Sequence, residues 1–337
     1  MQLFCIVYDS RSGSTFLANQ LMKNFNIIIP PESNFVAKIV KSKFNDPLSD
    51  RDLSKIYRIL YNDGKFLDWN VSVEDIQCKL KIKNKRYSIR DVLEVIFTLY
   101  VEKTIKKFDC EYLFGLKKNF LQISKELNTI FPNCKWICLI RDGRGIFNSK
   151  RKSTNSVTQK PFTSSVLRAS LGWKRYLKGI EKLEKENPLL QLVYYDDLIL
   201  NTDQSTQSVA HFIGSTRTEN VRGENVLYQI PERYGNLHYN ISKSPLISRV
   251  TAWKTDLSRN QIRFYEKLSK RELLKFKFTL LDISLRHCEA IDYYIYILKD
   301  LCLFLFESLR LIKVRLVYTM AHSVDKAFHC FGIAKHD

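Results

Sequence analysis

The stretch from Leu3 to Met22 limits the fold more than any other part of the chain. Leu3-Phe4-Cys5-Ile6-Val7 is a short continuous apolar run, the pattern of a strand covered on both faces in a parallel sheet. Phe16, Leu17, Gln20 and Leu21 follow at helical spacing with no Pro or Gly before Pro30, so the chain turns from strand straight into helix. Between them lies Ser10-Arg11-Ser12-Gly13-Ser14-Thr15. Gly13 has no Cβ to hold a ligand away, and the amides of Gly13, Ser14 and Thr15 are donors at the positive end of a helix. Together they form a socket for a phosphate-sized anion, with Arg11 adding charge at its rim.

The nucleoside-triphosphate form of such a loop is G-x-x-x-x-G-K-[ST], in which the lysine meets the phosphates and the hydroxyl meets magnesium. Here no G-K-[ST] is present and the basic residue precedes the glycine. The loop suits an anion other than a magnesium-bound triphosphate.

Further strands are expected at Asn26–Pro30, Glu111–Gly115 and Leu189–Tyr194, and helices at Leu121–Ile130, Phe162–Glu186 and Thr202–Phe212, the last stopped by Gly214. Three helices are expected between about 42 and 108. The strongest strand signal is Lys135–Ile140, and directly after it comes Arg141-Asp142-Gly143-Arg144-Gly145-Ile146-Phe147-Asn148-Ser149. Such a turn can give guanidinium groups and helix amides to one anion; it also reads as a surface salt bridge. Nine basic residues against one acidic between Arg141 and Arg175 concentrate the chain's net charge of +19 near this turn.

Arg11-Ser12-Gly13-Ser14-Thr15 resembles the 5′-phosphosulfate loop of the sulfotransferases that use 3′-phosphoadenosine 5′-phosphosulfate (PAPS). FPNCKWICLIRDGRGIFNS resembles their 3′-phosphate motif, F-P-x-A-K-x-I-x-x-x-R-D-x-R-x-x-x-x-S, and keeps its Arg141-to-Ser149 separation. The resemblance implies a P-loop NTPase-like three-layer α/β sandwich with a central, mostly parallel sheet over residues 1–280. A helical insertion at 42–108 would shape the acceptor pocket, and 281–337 would form a C-terminal helical extension. It implies PAPS as co-substrate, adenosine 3′,5′-bisphosphate as product and no metal, because a sulfuryl group carries less charge than a phosphoryl group. Arg11, Ser12, Gly13, Ser14, Thr15, Arg141 and Ser149 would hold the donor. Tyr195, in a stretch resembling V-x-Y-E-D-L, would contact the adenine or else be a core tyrosine. Lys243 and Arg249 would reach the 3′-phosphate from a basic loop.

Lys117 lies at a strand's C-terminal end, where open α/β sheets bind ligands. It reads as a solvated lysine or, by the resemblance, as the one set on the transferring sulfuryl group. Two residues on, where one branch of the family carries a histidine base, this chain has Asn119. Glu32, in PPESNF, reads as a complement to a helix dipole. In the bacterial and tyrosylprotein-type branches a Glu at this place removes the acceptor's proton, which burial would assist by raising its pKa. Glu32, Lys117 and Arg11 are thus the expected catalytic groups, acting on a hydroxyl or amine of a glycan, lipid, peptide or small metabolite. A P-loop small-molecule kinase and a catalytically silent nucleotide-binding protein are the alternatives.

No module with interleaved aromatic and basic residues accompanies the positive charge, so no nucleic-acid partner is expected. Eight cysteines without a C-x-x-C and six scattered histidines speak for free thiols in a reducing compartment rather than a zinc site. With the first strand at the start of the sequence, a cytoplasmic location is expected. Ile291 to Met320 is interrupted by Lys299, Asp300, Glu307, Arg310, Lys313 and Arg315, too often for a membrane span of roughly 20 apolar residues. An amphipathic helix or helix pair is expected there, docked on the domain, joining copies in a homo-oligomer or resting on a membrane surface.

Overall fold

The computed structural model describes residues 2–83, 86–104, 112–154, 159–215, 228–229, 231 and 247–330. Its centre is β1 (Leu3–Tyr8), every residue of which is buried. Around it stand β2 (Ile27–Ile28), β3 (Leu113–Lys117), β4 (Lys135–Ile140) and β5 (Leu190–Tyr194), in the spatial order β2-β3-β1-β4-β5. All four pairings are parallel. Five carboxyl ends therefore share one edge, and helices cover both faces, as a parallel sheet requires.

Side chains alternate along β1. Leu3, Cys5 and Val7 join one apolar core, and Phe4, Ile6 and Tyr8 join the other. The second core is completed by α1 (Ser14–Asn24). The first takes in α2 (Phe35–Lys41), then α3 (Asp50–Tyr61), α4 (Val73–Lys83) and α5 (Ile89–Thr104), the three helices expected between 42 and 108. Trp69 ties this region to the sheet edge: its ring lies 4.9 Å from Phe35, and its indole N–H donates to Pro31 O at 2.9 Å. The residue before Glu32 is fixed in this way.

α6 (Ser124–Ile130) precedes β4, and α7 (Gly143–Lys152) and α8 (Val166–Glu186) follow it. The long helix starts four residues later than its apolar spacing suggests. Ser165 is its N-cap and accepts from the Arg168 amide, satisfying a donor that the spacing alone does not register. β3 also differs from expectation, running on through Lys117, which pairs with Ile6. Gly115 permits this, since a Cβ there would come within 2.3 Å of the Phe4 ring.

After β5 come α9 (Tyr195–Leu200), α10 (Thr202–Ile213), two short turns α11 (Ser248–Thr251) and α12 (Trp253–Asp256), and α13 (Arg259–Lys275). The chain ends on α14 (Ala290–Cys330), one helix of 41 residues rather than a pair. Among the described residues no helix is long and apolar enough to cross a membrane.

One buried ion network locks the turn after β4 to this last part of the domain. Arg144 is 0% exposed, forked onto Asp142 with Nη2 to Oδ2 at 2.6 Å, bonded to Glu266 of α13, and stacked at 3.8 Å over Trp253. Its Nη2 also donates to Thr279 O at 2.7 Å, while Glu266 accepts from the Leu281 amide at 2.9 Å. Arg144→Ala strands two buried carboxylates and is expected to lower the unfolding free energy by roughly 3–5 kcal/mol. Urea unfolding checks this; a loss no larger than a surface pair gives would show that the network is not holding the turn.

Candidate functional site

The loop after β1 is shaped by backbone as much as by side chain. Gly13, the N-cap of α1, has φ 88°, and a Cβ on it would come within 2.8 Å of the Tyr195 ring. Arg11 also lies in the left-handed region, at φ 72°, a sparsely populated conformation for a residue with a side chain. The Ser12 hydroxyl turns inward and donates to Asp9 O, and Lys150 of α7 pairs with Asp9 at 2.7 Å. The amides of the loop are thereby left at the helix N-terminus, where the dipole favours an anion.

Toward β4 the loop meets the second turn. Arg141 Nη1 donates to Arg11 O at 2.6 Å and Nη2 to Arg249 O at 3.2 Å, while its guanidinium stacks 3.9 Å over Tyr195. Arg11 Nε donates to Ser149 Oγ at 3.1 Å. Arg11, Arg141 and Arg249 are close enough to act on one another: burial lowers the pKa of Arg11, and Arg141 and Arg249 lower it further. Burial also lowers that of Arg141, with Tyr195 and Asp196 opposing and Arg249 adding to the effect. Like charges gathered in a desolvated crevice raise its affinity for an anion. Burial, with Asp142 beside it, pushes the Asp196 carboxyl up to about 6 in spite of Arg141.

The two arginines of the Arg-Asp-Gly-Arg turn thus part company, which corrects the expectation that both face one anion. Arg144 is wholly taken up inside the domain by Asp142 and Glu266, and Arg141 alone faces the loop.

On the other side of the loop, toward β3 and β2, Lys117 Nζ donates to Thr15 Oγ1 at 3.1 Å and to Glu32 Oε1 at 2.9 Å. The Lys117 side chain is 2% exposed and that of Glu32 is 34% exposed, so the carboxylate opens to solvent and the ammonium does not. Tyr8, at the end of β1, donates its hydroxyl to the same carboxylate oxygen. Tyr228 lies on the other flank, its ring 4.8 Å from Lys117 Nζ.

Burial alone would raise the Glu32 pKa, as the sequence reading expects. The Lys117 charge, with hydrogen bonds from Tyr8 and Lys117, outweighs burial and holds the carboxyl at about 2. Burial likewise works against the charge on Lys117, but Tyr228 and Glu32 overcome it and keep the ammonium above its ordinary value. The pair is an ionised couple, and Glu32 is a weaker base in this state than burial would make it.

Each expected residue within the described part lies on this one edge: Glu32 beyond β2, Lys117 on β3, residues 11–15 after β1, Arg141 and Ser149 after β4, Tyr195 after β5 and Arg249 on α11. Lys243 falls outside the described residues. Tyr8 and Tyr228 escaped the sequence reading, Tyr8 because it ends an apolar strand and reads as core. Among the described residues no cluster of His, Cys, Asp and Glu could hold a metal ion.

Because the Glu32 pKa is depressed, any stability it lends is present above about 4.5 and is lost as pH falls toward about 2. Lys117→Met removes the largest opposing charge and one of the two hydrogen bonds, and the Glu32 carboxyl is then expected to titrate well above about 2. Carbon-13 carboxyl titration, assigned with Glu32→Gln, reads the shift; a midpoint still near 2 would rule out the lysine as its cause.

Residues 6–219 match the sequence model of the sulfotransferase family. Protein-tyrosine sulfotransferase 2 of Gallus gallus is 27% identical over 135 residues, which are 39% of this chain and 36% of that protein, so the match spans little more than a third of the relative's length. The sulfotransferase domain from the curacin biosynthetic pathway superposes with a TM-score of 0.54 at 15% identity, over 83% of this chain and 99% of that one. The sulfotransferase domain of the Synechococcus PCC 7002 olefin synthase does so with a TM-score of 0.50 at 16% identity, over 80% and 94%. These two likenesses are of fold. With the family's pattern running through β1 to α10 and matching more than half of the sequence, this chain belongs to the sulfotransferase family.

Proposed function

We propose that the protein transfers the sulfuryl group of PAPS to a hydroxyl or amine acceptor and releases adenosine 3′,5′-bisphosphate. One observation carries the reading: a single loop joins two kinds of chemistry. On one flank, Arg11 and Arg141 bond to Ser149 and to the loop itself, beside Tyr195 and Arg249. On the other, Thr15 accepts from the lysine that pairs with Glu32. A donor with a phosphate at each end of an adenosine calls for both flanks at once.

In this reading the arginines, with Ser149, take the 3′-phosphate and Tyr195 takes the adenine. Ser12, Gly13, Ser14 and Thr15 take the 5′-phosphosulfate through their amides, and Lys117 and Arg11 stabilise charge developing on its oxygens. The tight approach of Tyr195 to Gly13 supports the fit, since any side chain at 13 would close the crevice. Glu32 takes the acceptor proton as the acceptor oxygen or nitrogen bonds to sulfur. It is ionised at neutral pH, but the Lys117 pair limits its basicity. An incoming sulfuryl oxygen competes for Lys117 Nζ, and whatever charge the lysine turns toward that oxygen is withdrawn from Glu32, whose basicity rises. Residues 1–280 form the catalytic unit, and a cytoplasmic setting suits a core that keeps Cys5 and Cys134 as thiols 3.6 Å apart.

Adenosine 3′,5′-bisphosphate is expected to raise the melting temperature, and ATP with magnesium is not; the reverse result would mark a kinase. With sulfur-35-labelled donor and a panel of hydroxyl and amine acceptors, Arg141→Ala is expected to abolish transfer. Glu32→Gln should lower kcat about 100-fold or more while still binding the bisphosphate. Binding without product from any acceptor, unaltered by Glu32→Gln, would mark a silent nucleotide binder.

A further inference from the structure

The helix α14 docks on the domain by a narrow stripe. Asp300 accepts from the Val166 and Leu167 amides at 2.7 and 3.0 Å and from Ser165 Oγ at 3.0 Å. One heptad on, Glu307 accepts from the Ser164 amide at 2.6 Å and Thr163 Oγ1 at 2.7 Å, and pairs with Arg168 at 2.9 Å. Both carboxylates are buried, at 0% and 6% exposure, so they cap the start of α8 and fix the rotation of α14 about its own axis.

That fixed rotation decides what faces outward. At about 100° per residue, Tyr293, Asp300, Phe304 and Glu307 share the docked side, and Ile291, Leu298, Leu305, Leu309 and Leu316 lie roughly opposite. The latter five are each between 58% and 74% exposed. Lys299 and Lys313, both exposed, and Arg310 flank this apolar face. Among the described side chains from Ile291 to Leu316, Asp292 is the one acid turned to solvent, because the other two are spent on α8.

We propose that α14 is a membrane-surface helix whose outward apolar face lies in an anionic lipid bilayer. The charge distribution selects this occupant. An apolar stripe with a basic fringe, whose acids are turned inward, complements a surface that is apolar beneath and negative on top. A second copy packed face to face through α14 would set basic fringe against basic fringe, with Asp292 the one outward acid among the described side chains from Ile291 to Leu316 to offset it. The stripe from Ile291 to Leu316 is about 38 Å long at ~1.5 Å per residue, enough to lie along the interface. α14 is also carried at the site end of the domain. Trp173 donates to Arg141 O at 3.0 Å just past the end of β4, and α14 docks on the stretch of chain that leads into α8 within ten residues before Trp173.

Co-sedimentation of the full chain with phosphatidylcholine vesicles, with and without phosphatidylserine, tests the proposal. Binding is expected to the phosphatidylserine vesicles and to weaken as salt rises. Leu305→Glu with Leu309→Glu should abolish it, and Lys299→Glu with Lys313→Glu should weaken it about tenfold or more. All four positions lie outside the candidate site and on the surface, so the melting temperature and bisphosphate binding should stay at wild-type values in both variants. Wild-type protein left in the supernatant with both kinds of vesicle would overturn the proposal. So would a dimer in sedimentation velocity that Leu305→Glu with Leu309→Glu dissociates while vesicles bind nothing, which would assign the face to a second copy.

Discussion

Parallel hydrogen bonding of β1 to β3 on one side and β4 on the other sets the height of every group in the site. The register puts Ile6 opposite Lys117 and Tyr8 opposite Leu139, so the chain leaves all three strands within a residue or two of the same level. What emerges differs strand by strand: a carboxylate beyond β2, an ammonium on β3, an amide-lined turn after β1, a guanidinium after β4 and an aromatic ring after β5. None of these is near another in sequence. Their convergence follows from the backbone pairing, and the buried apolar faces that hold the pairing are what allow a charged edge to exist at all.

Desolvation gives that edge its character, and the charges of two arginines three residues apart are answered in different ways. Arg144 is satisfied by Asp142, Glu266 and Thr279 O, so its charge is spent on holding α7 to α13. Arg141 reaches backbone carbonyls of two other segments and an aromatic face, with two more guanidinium groups nearby. The first arrangement is a complete ion network; the second is a concentration of positive charge that an anion would relieve.

This difference also marks where the sequence stops being informative. The strand cores and the glycine of the first turn are local patterns, legible because backbone geometry demands those residue types there, and the eight-residue step from Arg141 to Ser149 is legible through its resemblance to the family's motif. Which arginine turns inward depends on Glu266 and Trp253, more than a hundred residues away, and no local spacing encodes it. The same holds for Glu32. Its place after β2 could be read, but its protonation could not, because Lys117 and Tyr8 arrive from two other strands. Tyr8 was hidden by its own strand, where an aromatic at the end of an apolar run has every appearance of core. The start of α8 differs from its apolar spacing for a smaller reason: the spacing extends N-terminal of Ser165, which caps the helix.

The Lys117–Glu32 couple makes the site tolerable to the fold. An ammonium 2% exposed is costly unless a charge answers it, and Glu32 is that charge, with Tyr8 steadying the shared oxygen. A partner fixed for stability would ordinarily be unfit as a base, since the contact that holds it ionised also makes it a poor acceptor of protons. On the proposed function the conflict resolves through competition for one lysine. The donor brings its own anion to Nζ, so the lysine remains answered while the carboxylate is released from the couple and gains basicity when there is a sulfuryl group to transfer. The exposure difference suits that exchange: the buried member stays in place at the loop, and the member open to solvent is the one that must meet the acceptor.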